Sequence, residues 1–136
     1  MTESYAKPLP RKDPLAAPFW EHAQEERLAV QRCAKCRDLH FPPTQVCPAC
    51  LSEEQEWQVV SGRGTVVSWV NFHQAYWTAF RPELPYNVVL VELDEGPRLL
   101  SNLVAPPADG IKPGMKVRAV FDKVTAEVTL PKFAPS

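Results

Sequence analysis

The sequence predicts a mostly β protein: a short N-terminal helix, a ribbon built on four cysteines, then a five-stranded barrel. Three observations carry this prediction. All four cysteines of the 136 residues lie in RCAKCRDLHFPPTQVCPAC, as two CxxC pairs separated by ten residues. From Val59 onward the chain becomes a series of β-branched and aromatic segments broken by Gly, Pro and Asp-Glu-Gly turn signals. Before the cysteines, PFWEHAQEER is the segment with helix-forming composition.

The elements run in order from the N-terminus. Residues 1–12 are expected to form an extended, poorly ordered arm. Pro18 suits the first turn of a helix, and Glu21 near that start complements the helix dipole, so DPLAAPFWEHAQEERL is expected to be helical to about Arg27. Phe19, Trp20 and Ala23 share a face of it, either as core or as a surface for a partner or ligand. LAVQR runs extended into the first CxxC, and Trp57 is expected to pack the ribbon against the strands C-terminal to it.

GRGTVVSWVNF, opened by two glycines, is a long strand, and YNVVLVEL is a nearly continuous apolar run suited to a buried strand. DEG turns the chain, and PRLLSNLV pairs back as a hairpin. MKVRAVF alternates, with Met115, Val117, Ala119 and Phe121 facing one way and Lys116 and Arg118 the other. AEVTL alternates with Ala126, Val128 and Leu130 inward. Five short strands at this spacing predict a small closed or nearly closed barrel. The fifteen prolines cluster near both ends and in the Pro42-Pro43 and Pro106-Pro107 pairs, as in a loop-rich protein with trailing ends. The expected division is an arm and helix over 1–27, a ribbon over 28–57, and a barrel with a C-terminal tail over 58–136.

Composition limits the function. Lys plus Arg number 15 against 16 acids, a net charge of −1, whereas nucleic-acid binders carry a basic excess. No run of about 18 apolar residues appears, so no membrane span is expected. MTESYAKPLPRKDP has no apolar signal-peptide core, and a cytoplasmic location is expected. In that reducing compartment four cysteines point to a metal rather than to disulfides. Cys33, Cys36, Cys47 and Cys50 can place four thiolates at the corners of a tetrahedron, which favours structural zinc. Iron also accepts four thiolates on expression, and one CxxC alone could act as a redox dithiol. A closed four-thiolate site has no open position for chemistry, so activity is expected elsewhere. His40, between the pairs, is expected to be a packing or surface residue and not a ligand.

The long connection HQAYWTAFRPELP holds Tyr76, Trp77, Phe80 and Arg81. Its aromatics either plug one end of the barrel or meet a ligand or another protein. His73 has no recognisable acid or nucleophile partner, and Ser61 and Ser68 have no base at a recognisable spacing, so no catalytic residue is assigned.

Helix, ribbon and barrel in this order, with PFWEHAQEERLAVQRCAKC, FPPTQVCPAC, GRGTVVSW, LPYNVVLVELDEGPRLLSNLV and IKPGMKVRAVF, resemble the OB-fold acyl-CoA-associated proteins that carry a rubredoxin-like zinc ribbon. The resemblance covers nearly the whole chain after residue 14. It implies a five-stranded OB-fold barrel and a structural zinc on the four cysteines. It also implies a non-catalytic accessory role beside a thiolase or a thiolase-like aldolase, where the chain helps form or close an acyl-CoA site. Candidate contacts to that partner or to acyl-CoA are Phe19, Trp20, Tyr76, Trp77, Phe80 and Arg81, with Arg81 or Arg63 meeting CoA phosphates. One departure stands out. Such knuckles often have glycine after the second cysteine, where φ is positive, and here Arg37 and Leu51 occupy those places. The alternative is a single-stranded nucleic-acid binder that stacks bases on Trp69, Phe72 and Trp77, which the charge balance opposes.

Overall fold

The structure, a computed structural model, describes residues 5–136. Of the arm expected over residues 1–12, residues 1–4 lie outside the described residues. Residues 5–12 form no helix or strand, but they are tied down. Lys7 pairs with Glu83 and lies 5.3 Å from the Phe80 ring centre, and Lys12 donates to the Glu127 carbonyl.

Helix α1 spans Ala17–Gln24. Its start is fixed from outside: the Asp13 carboxylate accepts the Ala16 N–H at 2.8 Å and the Asp13 carbonyl accepts the Ala17 N–H at 2.8 Å. Pro18 sits in the first turn, as expected, and Glu21 lies beyond it. The helix stops three residues short of Arg27, because Glu26 adopts a left-handed φ of 59° that no helix can continue. Phe19 and Ala23 are buried. Phe19 meets Trp20 edge-on at 4.8 Å and Phe41 at 5.3 Å, so the aromatic face of α1 closes over the ribbon.

The ribbon is a three-stranded antiparallel sheet of β1 (Leu28–Cys33), β2 (Leu39–His40) and β3 (Gln55–Val60), with β1 central. β1 is buried almost throughout because α1 covers it and both its edges are paired. Trp57 is partly buried against the common core, as expected.

The barrel comprises β4 (Arg63–Phe72), β5 (Tyr86–Leu93), β6 (Arg98–Ser101), β7 (Lys116–Lys123) and β8 (Thr129–Pro135), in the order β6-β5-β4-β7-β8. The two outer members then meet. Leu103 bridges Phe133 in parallel, Val104 N–H donates to the Phe133 carbonyl at 2.7 Å, and Phe133 N–H donates to the Asn102 carbonyl at 3.0 Å. This parallel seam curls the sheet round on itself in the connectivity of an OB fold. A bulge between Val66 and Ser68 bends β4 into the curve. Val66, Val89, Val91, Val117 and Phe133 are almost wholly buried along the core. Gly64 is required where β4 crosses β5, since a Cβ there would stand 2.7 Å from the Glu92 carbonyl oxygen.

The expected alternation runs from Met115, just before β7, through Val117, Ala119 and Phe121 on the strand. The last strand differs from expectation. Ala126 is exposed and outside the strand, and β8 starts at Thr129 and continues to Pro135. What looked like a proline-rich tail is the strand that closes the barrel, with Phe133 fully buried. Pro131 and Pro135 lack N–H groups, but the seam bonds run through Phe133 and Val104, so the strand tolerates them.

Candidate functional site

The four cysteines converge. Their sulfurs all lie within 4.8 Å of one another, with Cys33 and Cys50 at 3.5 Å and Cys36 and Cys47 at 3.6 Å. A disulfide needs about 2.05 Å. Four sulfurs around a metal at bonds of about 2.3 Å stand about 3.8 Å apart. The arrangement is therefore a metal-binding cluster. Cys33 and Cys47 are buried, whereas Cys36 and Cys50 are exposed.

Each pair is held by the same turn. Arg37 N–H donates to the Cys33 carbonyl at 2.9 Å, and Leu51 N–H donates to the Cys47 carbonyl at 2.8 Å. Cys33 N–H in turn donates to the Asp38 carbonyl at 2.9 Å, and Cys47 N–H to the Ser52 carbonyl at 2.8 Å. Backbone N–H groups also reach the sulfurs: Cys36 to Cys33 Sγ at 3.4 Å and Ala49 to Cys47 Sγ at 3.3 Å. Without glycine, Arg37 and Leu51 still adopt φ of 70° and 66°, so the knuckle geometry forms with ordinary side chains.

These contacts set the acidity of the metal-free thiols. The Cys36 N–H, with the Lys35 N–H and neighbouring thiols, lowers Cys33 to about 6. For Cys36 the Asp38 N–H pulls downward, but burial and hydrogen bonds from Cys50, Cys47 and Cys33 outweigh it and push the thiol up to about 12. A cluster that already favours a thiolate at Cys33 is primed for a thiophilic cation.

Sequence inspection passed over two features. His40 and Gln31 form a buried polar pair behind the cysteines, and Gln31 gave no signal because its partner is across the sheet. A cleft of about 770 Å³ also opens between the arm, the end of β4, the connection running into β5, β6 with the loop after it, and β8. Trp69, Phe80, Tyr86, Leu100 and Ile111 line it, with Lys7 and Lys132 each held by a carboxylate, Glu83 and Asp122. It was illegible because five separate segments build it.

The remaining predicted contact residues fall in three places. Tyr76, Trp77, Phe80 and Arg81 share the connection from β4 to β5, which contains a 3₁₀ helix, Thr78–Glu83. Tyr76 is 72% exposed and Trp77 59%, so they do not plug the barrel, whereas Phe80 is half-buried against Tyr86 at 5.4 Å. Phe19 is a core residue, 6% exposed, with half-buried Trp20 beside it. Arg63 lies at the far end of β4 from the aromatic connection, about 30 Å of strand away. There it stands opposite Arg118, both exposed. Trp69 and Phe72 lie on opposite faces of β4, because their pairing with Val89 and Tyr86 is regular between them. They do not form one base-stacking platform.

Comparison with known proteins agrees with this architecture. A family model for the ChsH2 rubredoxin-like zinc ribbon domain matches residues 20–56, and one for the ChsH2 C-terminal OB-fold domain matches residues 57–122. The chain belongs to the ChsH2 family. A probable enoyl-CoA hydratase alpha subunit of Thermomonospora curvata is 43% identical over 119 residues, covering 87% of this chain and 37% of that protein. A DUF35 domain-containing scaffold protein of Methanocaldococcus jannaschii is 29% identical, covering 83% of this chain and 81% of that protein. Among solved structures, a chain of the Ltp2-ChsH2(DUF35) aldolase superposes with a TM-score of 0.83 at 40% identity, covering 93% of this chain and 98% of that one. The chain thus matches most of a scaffold-sized protein but only about a third of the longer hydratase subunit. No helix among the described residues is long and apolar enough to cross a membrane.

Proposed function

We propose that this chain is a non-catalytic accessory subunit that binds a thiolase-like enzyme, a thiolase or an aldolase, and helps form or close its acyl-CoA site. The observation that carries this reading is the likeness along nearly the full length of a chain from an aldolase complex. The chemistry of the site supports it. Four mutually facing cysteines leave no open coordination position, and His73 is exposed, with no acid or nucleophile bonded to it among the described residues. The metal is zinc, and its task is to hold the ribbon together. When bound, it supplies structural cross-linking and no reaction step. A four-thiolate site, which needs reduced cysteines, supports a cytoplasmic location.

Tyr76 and Trp77 are the contacts we assign to the partner, since two exposed aromatics on one short connection are suited to a buried anchor in a protein interface. Phe80, half-buried against Tyr86, anchors the same connection, and Arg81, exposed beside them, meets a carboxylate or phosphate. Arg63, with Arg118, forms a separate basic spot for CoA phosphates. Trp20 offers its half-buried face at the ribbon, and Phe19 holds it in place.

The test is reconstitution. The chain is co-expressed with the thiolase-like enzyme of its host, the complex is sized by light scattering, and acyl-CoA turnover is measured with and without the chain. A stoichiometric complex whose turnover depends on the chain supports the proposal. A monomeric chain with no effect on turnover overturns it, and salt-sensitive binding of single strands would favour the nucleic-acid alternative.

A further inference from the structure

Three polar or charged side chains are buried among the described residues, and two of them, Gln31 and His40, meet directly behind the cysteines. Gln31 lies on β1 and His40 opposite it on β2. Gln31 Oε1 accepts the Thr44 N–H at 2.7 Å, and the same oxygen lies 3.0 Å from His40 Nε2. A backbone N–H can only donate, so the Thr44 contact fixes which end of the amide faces it. That oxygen leaves His40 Nε2 one role, the donor. Both the amide orientation and one ring nitrogen are thereby settled by geometry.

The other ring nitrogen turns toward Asp38 of the first knuckle. His40 Nδ1 lies 3.5 Å from an Asp38 carboxylate oxygen, and His40, Asp38 and Cys47 present atoms all within 4.8 Å of one another. Nδ1 is buried and makes no hydrogen bond within the described residues. Asp38 belongs to the first knuckle, where its carbonyl accepts the Cys33 N–H. Cys47 opens the second. His40 therefore lies beside both knuckles, while Gln31 anchors it to the central strand and Thr44 ties in the loop that leads to Cys47.

We propose that His40 is a positioning residue of the metal centre. Held by Gln31, its ring sets the second CxxC against the first and fixes the orientation of the Cys47 sulfur. This rests on the reading of the four cysteines as a metal site. Partners of this kind behind metal ligands change metal affinity by about 10- to 100-fold when removed.

The test uses the full chain loaded with Co(II), whose thiolate charge-transfer bands report the geometry at sulfur. His40→Phe keeps a ring of similar size and removes both nitrogens. It is expected to lose metal to a chromophoric chelator about 10- to 100-fold faster than the parent and to displace the charge-transfer band. His40→Gln, which restores an N–H donor toward Gln31, is expected to recover most of the retention. Gln31→Leu reaches the same network from the other strand and is expected to act in the same direction, which keeps the test decisive if His40→Phe does not fold. Parent-like metal release and an unshifted band in the folded variants overturn the proposal. Failure of the parent itself to bind one Co(II) per chain overturns the metal reading as well, and the two failures are told apart by that first titration.

Discussion

Arg37 and Leu51 occupy the same place in two copies of one turn: each comes directly after the second cysteine of its pair, and each has a left-handed φ, 70° and 66°. Each N–H returns to the carbonyl of the first cysteine. A left-handed conformation costs an ordinary residue about 1–2 kcal/mol, part of which glycine gives back through its greater unfolded-state entropy. Leu51→Gly is the cleaner variant, because Leu51 is 73% exposed and loses little packing. It is expected to stabilise the protein by about 0.5–1 kcal/mol, measured as a raised denaturant midpoint at unchanged slope. A lowered midpoint would mean that Leu51 has a packing role.

Cys33 is buried and faces Cys50 across the cluster. Cys33→Ser is expected to reduce bound metal well below one equivalent and to lower the melting temperature, since metal binding and local folding are coupled. A strong chelator should do the same to the parent protein. Metal content by mass spectrometry and a thermal melt decide it, and unchanged stability after metal loss would remove the structural role.

The metal-free protein should have a distinctive pH profile. Cys33 is lowered from 9.0 to about 6 in the fold, so its contribution is complete above pH 9 and fades as pH falls toward 6. Cys36 is raised from 9.0 to about 12, so its contribution is complete below pH 9 and fades as pH rises toward 12. Stability of the metal-free ribbon is therefore expected to peak near pH 9. Denaturation midpoints across that range test it, with a monotonic profile counting against the assignment.

Gly64 and Phe133 are where the barrel is expected to be least tolerant. Gly64→Ala forces a Cβ to within 2.7 Å of backbone oxygen, which cannot swing aside as a side chain would. A loss of about 1–3 kcal/mol is expected from such overpacking. Phe133→Ala is expected to cost about 3–5 kcal/mol, because the ring is fully buried at the seam. Chemical denaturation of each variant measures both losses, and a parent-like midpoint for either would mean that the barrel relaxes around the change.

Trp77→Ala should behave in the opposite way. At 59% exposure, its removal is expected to shift stability by no more than about 0.5 kcal/mol. Binding to the proposed thiolase-like partner is expected to weaken by about tenfold or more if Trp77 is an interface anchor. Titration calorimetry on the purified pair measures this, and parent-like affinity would move the anchor elsewhere.

The local chemistry of the chain was enough to determine the helix around Pro18, the convergence of Cys33, Cys36, Cys47 and Cys50, and the alternation of Val117, Ala119 and Phe121. Proline geometry, CxxC spacing and a period of two act over a few residues and need no distant partner. Only the tertiary structure decided that PKFAP is a closing strand rather than a tail, because its bonds go to Asn102 and Val104, about thirty residues earlier. It alone separated Phe19 from Trp77, since burial of an aromatic depends on what the rest of the fold lays over it. It alone paired Gln31 with His40, because strand register, not sequence distance, sets which side chains meet across a sheet.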